Sequence, residues 1–179
     1  VKDKRNNLIR MGLCNFDNLK IVGMGLNEAA VQYITSKVIG IEKDYVKYFG
    51  VSFRTISPSY YPLECNLIEQ MSYITGETVL FDSTFTSNDK FKNTFINLTS
   101  EKTYDDIEYY VDQILELEEK IIKLNNKSSS YDERNKTVEK LVEKTFNYKN
   151  KISEYFVKAQ NLIIKNYFDK AFRHIDNLE

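Results

Sequence analysis

The chain reads as mainly α-helical: a small helical lobe with at most a short strand pair, followed by a long antiparallel helical hairpin. Three observations predict this. From residue 103 onward, two apolar seams recur at alternating steps of three and four, the signature of one helix face. Before residue 100, apolar residues recur at helical spacing in segments bounded by Pro or Gly. Strand-like character is confined to short stretches near the start.

Residues 1–25 are expected to be irregular or weakly stranded. Leu8-Ile9-Arg10-Met11-Gly12-Leu13 and Leu19-Lys20-Ile21-Val22 read as short extended pieces around a turn at Asn15 to Asn18. Gly23 and Gly25 bracket Met24 and allow a sharp approach into a helix. That helix is predicted over 26–38, on the spacing of Leu26, Ala30, Tyr33, Ile34 and Val38, with Gly40 as its stop. Asn27 fits as its N-cap, which places Glu28 in the first turn near the positive end of the helix dipole.

Residues 41–59 read as a connector with an aromatic cluster (Tyr45, Tyr48, Phe49, Phe53) and a turn at Ser57-Pro58-Ser59. A helix over 61–75 follows, with Pro62 in its first turn and Gly76 at its end. A short helix is expected over 77–81, and then one capped by Ser87 and carried by Phe91, Phe95, Ile96 and Leu98. Thr103-x-x-Asp106 resembles a capping box with Asp in place of Glu or Gln. The first seam after it is Ile107, Tyr110, Ile114, Leu117, Ile121 and Leu124. A polar turn is expected at 125–130. The second seam is Val138, Leu141, Thr145, Tyr148, Ile152, Tyr155, Ala159 and Leu162. Folded about residue 131, the seams bring Leu124 near Val138 and Ile107 near Tyr155. Residues 160–176, with Leu162, Ile163, Tyr167, Phe168, Ala171, Phe172 and Ile175, are too apolar for a solvated tail and are expected to pack back on the lobe. The division is thus a lobe over 1–100 and a hairpin over 101–179.

Composition narrows the function classes. Lys+Arg (25) nearly balances Asp+Glu (26), and basic residues form no block, so a footprint for the phosphate backbone of a nucleic acid is lacking. The aromatics (13 Tyr, 11 Phe) read as core and seam rather than a base-stacking platform, which needs basic interleaving. No apolar run reaches the length needed to span a bilayer, about 18 residues, and no basic-then-apolar leader opens the sequence. Cys14 and Cys65 have no metal-like spacing and read as two buried reduced thiols; nothing places Cys65 beside His174. The chain opens on Val1 rather than Met, and is expected to be a piece of a larger protein.

The segment with chemical content is Gly25-Leu26-Asn27-Glu28-Ala29-Ala30-Val31-Gln32-Tyr33. It offers a carboxylate near a helix start, with small neighbours that let a second helix come close. On residues alone, Glu28 is also an ordinary carboxylate stabilised by the helix dipole. The segment resembles the Leu-Asn-Glu-(small)-x-x-x-Tyr stretch of gluzincin-type, zincin-like metallopeptidases of low-GC Gram-positive bacteria. Similarity extends through residues 8–13, Ser57-Pro58-Ser59-Tyr60-Tyr61-Pro62-Leu63, Thr75-Gly76-Glu77 and Leu80-Phe81-Asp82-Ser83-Thr84.

The resemblance implies that Glu28 is the third zinc ligand of the intact parent, with Asn27 and Gln32 as groups that steady it. Tyr60 and Tyr61 are the candidates to contact an oxyanion or substrate. It also implies a peptide or protein substrate for that parent. The His-Glu-x-x-His that would supply two ligands and a base is not in this sequence, whose single histidine is His174. No zinc is therefore expected in this chain alone, and no activity. The other reading is a non-enzymatic helical interaction module, with the hairpin either packed on itself or working as the binding surface.

Overall fold

The computed structural model describes residues 1–4, 7–17, 20–128 and 135–176. It is mainly α-helical, with two small antiparallel sheets. The first sheet is a meander of β1 (Arg10–Met11), β2 (Cys14–Asp17) and β3 (Lys20–Val22), in register Met11↔Cys14 and Phe16↔Ile21. Of the turn expected at Asn15 to Asn18, Asn15, Phe16 and Asp17 are strand and Asn18 lies outside the described residues. The chain reverses at Gly12-Leu13, where Gly12 takes φ +56°. Arg10, nearly buried, ties β1 across the molecule: its guanidinium pairs with Asp89 and donates to the Asn88 carbonyl at 2.8 Å.

Helix α1 (Met24–Val38) starts two residues earlier than its apolar spacing suggests. Residues 41–59 are more ordered than a connector. β4 (Asp44–Tyr48) and β5 (Val51–Thr55) form a hairpin in register Tyr48↔Val51 and Val46↔Phe53. Its two turn residues, Phe49 (φ 48°) and Gly50 (φ 86°), are both left-handed, as a two-residue turn between right-twisted strands requires. Val46, Tyr48 and Phe53 face inward, Phe53 meets Phe156 with ring centroids 5.1 Å apart, and Ser153 Oγ donates to the Phe49 carbonyl.

Helix α2 (Pro62–Thr75) is the centre of the fold, with Pro62 through Glu69 all buried. It is surrounded by α1, α3, α4, α6 and β5. Helix α3 (Glu77–Thr86) runs five residues beyond the short helix expected. Ser87 does not cap α4 (Lys90–Leu98): it ends α3 in a left-handed conformation, and its hydroxyl accepts from the Gly12 N–H at 2.8 Å. The start of α4 is served instead by Asn88 Oδ1, from the Lys90 N–H, and by Ser83 Oγ, from the Phe91 N–H.

Helix α5 (Glu101–Ser128) is capped by Ser100, whose hydroxyl accepts from the Thr103 N–H at 3.1 Å. The Thr103-x-x-Asp106 pattern is thus inside the helix, and Asp106 pairs with Lys102. Residues 125–128, expected in a polar turn, are helical, while the reversal about residue 131 lies outside the described residues. Helix α6 (Asn135–Asp176) packs along α5. Ile107, Ile114, Leu117 and Ile121 of α5 and Ile152, Phe156 and Ala159 of α6 are buried in one core, and Tyr110 stacks on Tyr155 at 5.5 Å. The side chain of Val138, and with it the expected contact to Leu124, lies outside the described residues.

Beyond the seam, Ile163 is buried and Gln160 donates to Asn66 on α2 at 3.1 Å. Ile164, Phe168 and Phe172 in the same stretch are at least half exposed. One apolar core takes side chains from both sides of residue 100, from Leu13 to Ile163. Among the described residues no helix is long and apolar enough to cross a membrane.

Candidate functional site

Helix α1 is placed by its small residues and by a cap borrowed from α5. Gly23 (φ 78°) turns the chain into the helix, and Asp112 accepts the N–H groups of Gly23 (2.8 Å) and Gly25 (2.7 Å) through its two carboxylate oxygens. These are orphan donors of a helix start, and an anion there also meets the positive end of the dipole. Gly25 lies so close to α5 that a Cβ would stand 2.8 Å from the Val111 backbone. Ala29 and Ala30 are fully buried one turn on, and the Cys65 thiol of α2 donates to the Ala29 carbonyl. The small residues therefore serve contacts of α1 to α2 and α5.

Glu28 is half-buried, in the second turn of α1 rather than the first, because the helix starts at Met24. Among the described residues it makes no hydrogen bond and no ion pair. Asn27, expected as N-cap, is inside the helix and almost fully buried; its Oδ1 accepts from the Leu13 N–H at 3.0 Å and pins the β1–β2 turn onto α1. Gln32 donates to Ser36 at 3.3 Å. Neither side chain is bonded to Glu28.

Tyr61 and Tyr60 separate. Tyr61 is half-buried, in the left-handed conformation that precedes Pro62. Burial raises its phenol, and the next contribution comes from the charge of Glu28, followed by Glu64, Glu118 and Glu119. Tyr61 and Glu28 thus share one neighbourhood. Tyr60 is 67% exposed, and its carbonyl accepts from the Ser57 hydroxyl and the Cys65 thiol.

Both cysteines are free and buried. Burial pushes each thiol up, with Glu28 and Asp112 adding at Cys14 and Glu64 at Cys65. Neither is a thiolate nucleophile at neutral pH. The side chain of His174 lies outside the described residues.

A second carboxylate constellation has no counterpart in the sequence reading. Glu64, in the first turn of α2, is fully buried, and neither of its oxygens has a donor. Burial first, and then the Glu118 charge, pushes it well above the ordinary carboxylate range. Burial also lifts Glu118 of α5 to about 7, against opposing hydrogen bonds from Glu64 and Tyr48. The Tyr48 phenol is raised by burial and then by the charges of Glu118 and Glu64. One proton between the two carboxyls turns the contact of two acceptors into a hydrogen bond, so Glu64 is held as the acid. The available signal was Glu118 lying four residues after Ile114 and three before Ile121, on the buried face.

A zinc site needs about four ligands, and among the described residues no three His, Cys, Asp or Glu side chains gather closely enough to hold an ion. Among the described residues Glu28 belongs to no such group. No family model matches this chain, and neither a curated protein nor a solved structure does.

Proposed function

We propose that this chain is the C-terminal part of a zinc-peptidase-like protein, in which Glu28 is one metal ligand and a histidine pair comes from another part of that protein. The observation that carries the reading is a carboxylate that, among the described residues, has no hydrogen-bond or ion-pair partner, on a helix face with exposed apolar side chains. Along that face Val31 (47%), Val38 (77%) and Ile39 (65%) stay exposed beside Glu28, which suits a further helix laid against α1. The vicinity of Tyr61 adds a phenol of the kind that steadies an oxyanion. The test is zinc per chain in the product of the complete reading frame that contains this sequence, measured by atomic emission. One zinc is expected, lost from Glu28→Gln, with none bound by residues 1–179 alone. Retention of zinc by Glu28→Gln, or a reading frame without a histidine pair, overturns the reading.

A second reading rests on a separate observation. On the far half of the hairpin Ile122, Val142 and Phe146 are each about 60% exposed, beside a groove of about 390 Å³ lined by Leu124, Leu141 and Thr145. A helical interaction module uses such a surface. Analytical ultracentrifugation of wild type and Phe146→Ser separates the two readings: the module predicts self-association or partner capture that Phe146→Ser abolishes, and the peptidase reading predicts no change.

A further inference from the structure

Helix α6 outlasts its partner. Tyr110 of α5 stacks on Tyr155 of α6. From Tyr110 the chain runs back only to Glu101 before α5 begins, which sets that end of α5 level with about residue 164 of the antiparallel α6. The sequence changes face at the same place. The seam that packs along α5 passes through Ala159 and Leu162, and its next positions are Asn166 and Asp169. A new stripe of Ile164, Phe168 and Phe172 then runs at steps of four on another face of the helix.

These three side chains are 50%, 52% and 60% exposed, and Tyr73 near the end of α2 is 62% exposed. A groove of about 440 Å³ lies between the C-terminal half of α2 and this part of α6. Ile74, Ile163 and Tyr167 line it, and Gln70, Gln160 and Asn161 give it a polar but uncharged edge. Gln70 and Gln160 both donate to Asn66 Oδ1, at 2.6 and 3.1 Å, and so hold the two walls of the groove together. A stretch of roughly a dozen helical residues is marginal in water by itself, so the aromatic stripe stabilises this end of α6 only when something covers it.

We propose that this face pairs two copies of the chain about a two-fold axis, the Ile164–Phe168–Phe172 ridge of each copy seated in the α2–α6 groove of the other. The patch carries ridge and groove side by side, and a two-fold contact needs both on one surface. Side chains spaced by four form the ridge that packs on another of its own kind, with helix axes crossing at about −50°. With Phe168 at the axis, Ile164 of either copy lies opposite Phe172 of the other. The polar edge is made of neutral amides, so two identical faces meet there without like-charge repulsion.

The area suits this occupant. An aromatic side chain offers about 150–250 Å², and with half or more of it bare the four side chains leave on the order of 400 Å² of apolar surface. Interfaces are a little over half apolar, so a contact built on this patch covers about 700 Å² per copy, close to the roughly 800 Å² of a standard specific interface. The pairing is independent of a metal at Glu28. It is also separate from the exposed groove at Phe146, which lies roughly 33 Å away along α6.

The experiment is sedimentation equilibrium of the chain from about 1 to 200 µM. A monomer–dimer equilibrium is expected. Phe168→Asp should weaken it at least about thirtyfold, the effect of losing a central aromatic anchor. Tyr73→Asp, on the opposite wall, should weaken it as well, and Phe146→Ser should leave it unchanged. Both aspartate variants replace side chains at least half exposed and should keep the wild-type circular dichroism; if one does not, the other decides. A wild type that is monomeric throughout assigns the face to a different segment or protein and overturns the proposal. So does a dimer that the folded aspartate variants leave intact, or one that Phe146→Ser disrupts, which is the result the interaction-module reading predicts.

Discussion

Replacing Glu118 by Gln should stabilise the protein at neutral and alkaline pH, although it removes a nearly buried side chain's charge. In the wild type Glu118 titrates near 7 instead of 4.5, because it is buried beside Glu64 and Tyr48. A carboxyl whose folded pKa is raised binds more protons in the native state than in the unfolded one. Its contribution is therefore complete below the unfolded value and is lost as pH rises through the window between 4.5 and about 7. At 1.36 kcal/mol per pKa unit, the loss through this one group reaches about 3 kcal/mol by pH 8, and about 2 kcal/mol of it falls between pH 5 and 7. The amide introduced by Glu118→Gln carries no charge and donates an N–H to Glu64, which relieves the orphaned oxygens at the same time.

The assay is urea unfolding of wild type and Glu118→Gln from pH 5 to 8. Wild-type stability should fall with pH over that range, with Glu108, also near 7, steepening the decline. The variant should fall less, and be more stable than wild type at pH 8 by about 1–3 kcal/mol. A wild type that gains stability from pH 5 to 8 would falsify the shared-proton picture. A variant destabilised by more than about 1 kcal/mol at pH 8 would mean that the Glu118 charge is needed where it lies.

Three further substitutions probe how the candidate site is held. Asp112→Ala removes the acceptor for two N–H groups at the start of α1 and should cost about 1–3 kcal/mol in urea unfolding, with weakened amide-exchange protection at Gly25. Gly25→Ala drives a methyl into the Val111 backbone, which cannot swing aside as a side chain tip can; a loss of about 1–3 kcal/mol is expected in the same assay. Phe156→Ala opens the contact between α6 and the β4–β5 hairpin and should cost about 3–5 kcal/mol in thermal unfolding, with loss of near-ultraviolet signal from the aromatic cluster.

The sequence made the helices legible wherever an apolar stripe faced one core. Helix α2 was found on Pro62 and Gly76, and the seams of α5 and α6 on residues such as Ile114 and Ile152, because their neighbours are local or follow a fixed repeat. Caps were harder. Ser100, Thr103, Ser87 and Asn88 are all plausible caps, and which one acts depends on where the chain arrives from, which tertiary packing sets. The cap on α1 comes from Asp112, 87 residues beyond Gly25, so no local pattern carries it. The β4–β5 hairpin was readable in principle from the alternation of Tyr45, Val46, Lys47 and Tyr48. A turn of Phe49-Gly50 lacks the usual Asn or Asp, and the aromatic cluster masked the strand.

Of the candidate site, the position of Glu28 on a helix beside small residues was legible in the sequence. The direction in which Asn27 faces was not, because it is decided by the Leu13 N–H. The Glu64–Glu118 contact arises from a pairing between distant helices, and an isolated Glu in a helix carries no mark of it.

The central proposal, that Glu28 is a metal ligand completed by histidines from elsewhere in the protein, is met most directly by a zinc-edge anomalous difference map from crystals of the complete gene product. The account predicts a peak about 2.0–2.2 Å from a Glu28 carboxylate oxygen, with two imidazole nitrogens at similar distance. A folded protein whose zinc lies elsewhere, or whose Glu28 faces solvent with no metal peak beside it, contradicts it.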